Sequence, residues 1–159
     1  MFNRLKKAVA AVVATTVVMA MGAVTAFAAE PLSDGEYTAN QNLYKNAECT
    51  KTSMGDDAVN DMKADIVIEG DEATLVVHTH EIKYLGITGH LGKMVIGDDE
   101  QLPVEKTVNG VTDYYFTFTG LDADSISEGC VITGQFTTYV GKMPMNATGY
   151  LKLTNITAQ

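Results

Sequence analysis

The chain has 159 residues, 46% hydrophobic and 19% charged, with a formal net charge of −9 and two cysteines. That acidity lacks the basic footprint of a nucleic-acid binder and disfavours anionic membrane surfaces. The length suits one domain with a real core.

Arg4, Lys6 and Lys7 precede an apolar run, Ala8 to Val18, and a small-x-small triplet, Ala26-Phe27-Ala28. That order predicts a secretory signal peptide over residues 1–28 and a single domain over residues 29–159. The apolar run is short and rich in small residues, which disfavours a membrane anchor. The expected location is therefore extracellular, secreted or at the cell surface, with no membrane insertion. The leader holds three of the eleven basic residues and none of the acids. Residues 29–159 thus carry eight basic and twenty acidic side chains, a net charge of −12. The acids are spread along the chain and read as a solvated exterior.

The remainder predicts an all-β fold. Gly35 to Tyr44 is extended and followed by Thr52 to Met62, the one helix-like stretch, which suits an α or 3₁₀ turn with Ser53 as cap. Ala64 to Glu69 and Ala73 to His80 alternate around Gly70-Asp71, a hairpin-type turn. Lys83 to Thr88 and Lys93 to Ile96 are shorter strands. Val104 to Val108 and Asp113 to Thr119 flank Asn109-Gly110, a strong hairpin signal. Cys130 to Val140 and Met143 to Thr154 flank Gly141. About seven or eight strands with turns at this spacing predict an immunoglobulin-like antiparallel β-sandwich. Cys49 and Cys130 suit either a disulfide or two small buried hydrophobes.

The last strand alternates cleanly. Met143, Met145, Ala147, Gly149, Leu151 and Leu153 fall on one face, predicted to be buried. Two methionines beside two very small residues leave room for a planar group. Thioethers are soft neutral ligands suited to haem iron or copper(I), although methionine also fills gaps in cores. Met54, in Ser53-Met54-Gly55-Asp56-Asp57, is a third candidate donor.

Three stretches resemble the NEAT (near-iron transporter) family of Gram-positive haem-binding modules. They are Leu32-Ser33-Asp34-Gly35-Glu36-Tyr37-Thr38, which is similar to the opening strand; Ser53 to Val59, similar to the lip over the haem face; and Gly134 to Leu153, similar to the hairpin that supplies the iron ligand. Well-known members carry Tyr-x-x-x-Tyr at the start of the last strand. Met143 and Ala147 stand near those positions here, so the chain is more similar to members that hold iron between two methionines. The resemblance implies Met54 and either Met143 or Met145 as iron ligands. It also implies Ser53 on a haem propionate, with Tyr139 against or beside the porphyrin. The implied function is a haem relay in iron acquisition, with another carrier or receptor protein as partner.

Two axial thioethers leave iron no open position for oxygen chemistry, and no nucleophile, phosphate-loop or zinc-protease motif is present, so an enzyme is not expected. His78 and His80 lie on one strand face, with His90 further on. With the methionines they define an alternative, an exported copper carrier. A protein-binding adhesion module without haem is a further alternative. Asp122, Asp124 and Glu128 lack the spacing of a calcium loop and read as a polar loop.

Overall fold

The computed structural model describes residues 29–159; the expected signal peptide lies outside them. Ten antiparallel strands form one sheet: β1 Gly35–Tyr44, β2 Lys63–Glu69, β3 Glu72–His80, β4 Ile82–Tyr84, β5 Ile87–Ile96, β6 Asp99–Gln101, β7 Val104–Val108, β8 Val111–Asp122, β9 Val131–Val140 and β10 Met143–Ala158. The order is β4-β5-β9-β10-β1-β2-β3-β8-β7, with β6 paired to β5. The sheet folds back on itself as a sandwich. Ile66, Leu75, Val77, Phe116 and Phe118 from one half share a buried cluster with Leu91, Met94, Phe136, Leu151 and Leu153 from the other. A bulge between Thr38 and Asn40 lies in β1, which joins the halves by pairing with β10 and β2. Bulges of this kind bend and twist a strand.

Ten strands replace the seven or eight expected. Lys83 to Thr88 is not one strand but a hairpin, turning at Leu85-Gly86, with Tyr84 opposite Ile87. Both turn residues have positive φ, +50° and +79°. A leucine there carries no sequence signal for a turn, because bulky side chains avoid that region. The acidic β6 was equally hidden. Asn109-Gly110 does turn between paired Val108 and Val111, with φ of +52° and +79°, as a two-residue hairpin of this type requires. Gly70-Asp71 turns between Glu69 and Glu72 as expected.

The helix-like stretch is a 3₁₀ turn, Met54–Ala58, capped by Ser53, whose Oγ accepts from the Gly55 N–H at 3.3 Å. Asp56 moors it. This buried carboxylate accepts the Leu43 N–H at 2.6 Å and the Asn42 and Asn60 side-chain amides at 3.3 Å. Gln41, fully buried, donates to the Val59 carbonyl just after the turn at 3.3 Å and to the His78 carbonyl. A second 3₁₀ turn, Ala123–Ser125, is capped by Asp122, and Glu128 accepts the N–H groups of Asn155 and Ile156 at 2.9 and 2.8 Å. Asp122 therefore caps a turn, and Glu128 holds β10 at Asn155, where φ is +51°. Cys49 and Cys130 are both free thiols and both only partly buried, so the structure shows neither the disulfide nor two buried hydrophobes. Burial raises the Cys130 pKa, helped by the nearby Glu128 charge and partly offset by backbone hydrogen bonds.

Candidate functional site

The site grows from one glycine. A Cβ on Gly55 would stand 3.1 Å from Leu43 Cδ2, 3.3 Å from Leu91 Cδ2 and 3.4 Å from Thr138 Oγ1. The 3₁₀ turn thus rests directly on β1, β5 and β9, closer than most side chains permit. Met54, the residue before, is half-buried and lines a groove of about 330 Å³ with Ser53, Lys45, Ile82, Lys83 and Tyr84.

Strand register fixes what lies beneath and beside the turn. Leu91, Thr138 and Met145 are successive cross-strand partners on β5, β9 and β10; Ile82, Gly89, Val140 and Met143 form the next row on the same face. Directly opposed residues share a face, and adjacent rows on one face lie two residues apart. Both hairpin methionines therefore stand on the sheet face against which the Met54 turn packs. Gly89 lets the strands close up in this row: a Cβ there would fall 2.3 Å from the Tyr139 carbonyl oxygen, so the backbone of β9 already fills that space.

The expected burial of these methionines is wrong. Leu151 and Leu153, on the same face, are fully covered, whereas Met143 is 67% and Met145 42% exposed. The covered part of the strand begins at Gly149, over which Leu43 and the Phe136 ring close; a Cβ there would lie 2.6 Å from that ring. The room expected beside Gly149 is therefore filled by Phe136. The open surface lies nearer the hairpin end, around Met143, Met145 and Ala147.

Tyr139 is not brought together with the methionines. It pairs with His90 and Pro144, one residue out of step with both rows, and so lies on the opposite face. Its ring stacks on His90 at 5.5 Å and 15°, and His90 stacks in turn on Tyr114 at 4.9 Å and 12°. Glycine at 92 makes room, since a Cβ there would sit 2.3 Å from the Tyr139 ring.

The histidines do not converge. His78 Nε2 meets Asp65 at 2.9 Å, His80 Nε2 meets Asp61 at 2.7 Å, and His90 is held in the stack. Among the described residues no three His, Cys, Asp or Glu side chains gather where a metal ion would fit. Partial burial lowers the His80 pKa, but the Glu81 carbonyl and the Asp61 and Asp113 carboxylates outweigh it, and the net shift is upward.

The chemistry of this end suits an apolar ligand with a soft-acceptor centre. Uncovered thioethers, Val140 and Ile87 offer apolar contact, and thioethers prefer soft or low-valent metal centres. Ser53 Oγ already accepts a hydrogen bond, so its own O–H remains to donate to an anionic group. Lys45 and Lys83 line the same groove and supply positive charge, beside the one Asp57 carboxylate. Sequence reasoning missed both lysines, because Lys83 enters only through the hidden β4–β5 hairpin. No protein-family model matches the chain, and no curated protein matches it in sequence.

Proposed function

We propose that this chain is a secreted haem-binding protein of the NEAT type, which takes up haem as cargo and relays it to another carrier or receptor during iron acquisition. The observation that carries this reading is that the Met54 turn packs on the sheet face that also bears Met143 and Met145, although the groove Met54 lines does not include those two. The Met54 turn rests on Leu91 and Thr138, while Met145, across from Thr138, and Met143, one row beyond, stay exposed on that face. Met54 and one of the hairpin methionines would hold the iron, and Ser53, with Lys45 or Lys83, would meet the propionates. Bound haem supplies an iron centre whose ferrous state neutral thioethers favour over anionic oxygen donors. The protein's part is to orient it, cover its apolar face and release it.

The test is an absorption titration of residues 29–159 with haemin and with copper(I). One-to-one binding with a sharpened Soret band, six-coordinate and low-spin on reduction, supports the reading. Free-haemin absorbance alongside tight copper(I) binding would transfer the site to the copper alternative.

A further inference from the structure

The twenty acidic residues are not distributed evenly over the fold. None lies between Ile82 and Gly97, and none from Gly129 to Gln159. These two stretches supply β4, β5, β9 and β10, four consecutive strands of the sheet, and carry four of the eight lysines of residues 29–159. Residues 29–159, of net charge −12, therefore have one quarter whose four strands carry no acid of their own. The acidic strand β6 pairs with the far end of β5, where Glu100 meets Lys93 at 3.4 Å, and Lys83 and Lys142 lie at the opposite end. Asp57 bounds it on the side of the Met54 groove.

Two hairpin tips meet at one end of that quarter. The Gly141 N–H donates to the Thr88 carbonyl at 2.9 Å, and a Cβ on Gly141 would stand 3.3 Å from Ile87 Cγ2. The paired tips expose Tyr84 (45%), Leu85 (87%), Ile87 (50%) and Met143 (67%), with Lys83 and Lys142 adjacent in the chain. Leu85 is the most informative of them. It makes no burial contact to account for its size, and its φ of +50° is one that glycine or asparagine adopts readily and leucine does not. Neither packing nor turn geometry explains a leucine there. Exposed apolar tips next to lysines, with no acid in their strands, complement a surface that is apolar inside and negative outside.

We infer that this end docks peripherally on an anionic lipid surface, the two hairpin tips entering the boundary between headgroups and acyl chains and Lys83 and Lys142 meeting the phosphates. The tips project from the sheet, so no matching pocket is required of the partner. No helix among the described residues is long and apolar enough to cross a membrane, and the inferred contact does not require one. The inference does not depend on haem ligation.

The experiment uses residues 29–159, which contain all ten strands and the whole described core. Flotation is compared on vesicles of phosphatidylcholine alone and of phosphatidylcholine with phosphatidylglycerol. Leu85→Asn tests the tip, because asparagine suits the positive φ and should leave the fold intact. Lys83→Gln with Lys142→Gln tests the charge. The expected result is binding to the anionic vesicles only, weakened by salt and by the lysine changes, and reduced about tenfold by Leu85→Asn. Absence of flotation on anionic vesicles, or equal flotation of Leu85→Asn, overturns the proposal. So does equal binding of the wild-type chain and Leu85→Asn to soluble polyglutamate, which would make the quarter a docking face for an acidic protein.

Discussion

Met145 stands directly across from Thr138, the residue whose hydroxyl lies 3.4 Å from where Gly55 would carry a Cβ. One cross-strand pair thus links the hairpin methionines to the turn that carries Met54. Exposure separates a ligand role from a packing role here. A buried methionine cut to alanine costs about 2–5 kcal/mol, but Met143 and Met145 are largely uncovered. Met143→Ala and Met145→Ala should each change unfolding free energy by about 1 kcal/mol or less. One of them, and Met54→Ala, should shift the haem spectrum toward five-coordinate or water-ligated iron. Denaturant unfolding and reduced-state spectra check both halves; unchanged spectra in all three variants would remove the methionines from the site.

The mooring of the turn yields a second prediction. Asp56→Ala leaves the buried Leu43 N–H without its acceptor, at a cost of about 1–3 kcal/mol. Asp56→Asn keeps an oxygen in place and should cost less. Gly55→Val forces branched carbons against Leu43, Leu91 and Thr138 and should cost about 1–3 kcal/mol by overpacking. Both Asp56→Ala and Gly55→Val should weaken haem uptake more than Met143→Ala weakens stability, since they displace Met54 as a unit. Chemical denaturation together with haemin titration measures this. A Gly55→Val chain that unfolds like the wild type would mean the turn is not seated on those three side chains.

How much of this was legible in the sequence follows the physics of each signal. Period-two alternation fixed the faces of β2, β3 and β10, and Asn109-Gly110 placed its hairpin correctly, because local sterics decide those features. The exposure of Met143 and Met145 was not legible. Alternation says which face a residue joins, whereas burial depends on whether another layer reaches that far. The Tyr139 placement was recoverable: a two-residue Gly141-Lys142 turn sets Val140 opposite Met143, and Tyr139 must then fall on the other face. The β4–β5 hairpin was hidden because Leu85 occupies a conformation its side chain disfavours. With it were hidden Lys83 and Tyr84, which enter the groove from that hairpin. Asp56 carried no signal in the sequence that set it apart from Asp57, and only the fold shows it gripping β1.

His80 gives a prediction with a definite sign. Both ring nitrogens face acceptors, Nδ1 the Glu81 carbonyl at 2.6 Å and Nε2 the Asp61 carboxylate at 2.7 Å, so the doubly protonated ring satisfies both. The folded pKa is raised. The group's stabilising contribution is therefore full below the unfolded value of about 6.5 and is lost as pH rises through the higher folded value. Asp61 is 66% exposed, so the effect on stability should be modest. A nuclear magnetic resonance titration should place the His80 midpoint above 6.5, our reference for an unperturbed imidazole, and Asp61→Asn should lower it. A His80 midpoint unmoved by Asp61→Asn would show that the carboxylate does not hold the proton.

Leu85 supplies the last prediction, which concerns the fold alone. A leucine at φ +50° sits in a region that costs an ordinary side chain roughly 1–2 kcal/mol. With 87% of its surface exposed, burial returns almost nothing to offset that strain. Leu85→Asn would convert the turn to Asn-Gly, the pair already used at Asn109-Gly110, whose φ values of +52° and +79° nearly match those of Leu85 and Gly86. The variant should be more stable than the wild type by roughly 0.5–1.5 kcal/mol. Thermal and urea unfolding measure this without any ligand. A stabilised variant would show that leucine is kept at this tip against the preference of the fold. A destabilised one would mean that Leu85 makes contacts its exposure does not reveal, and the turn geometry would then have to be redrawn.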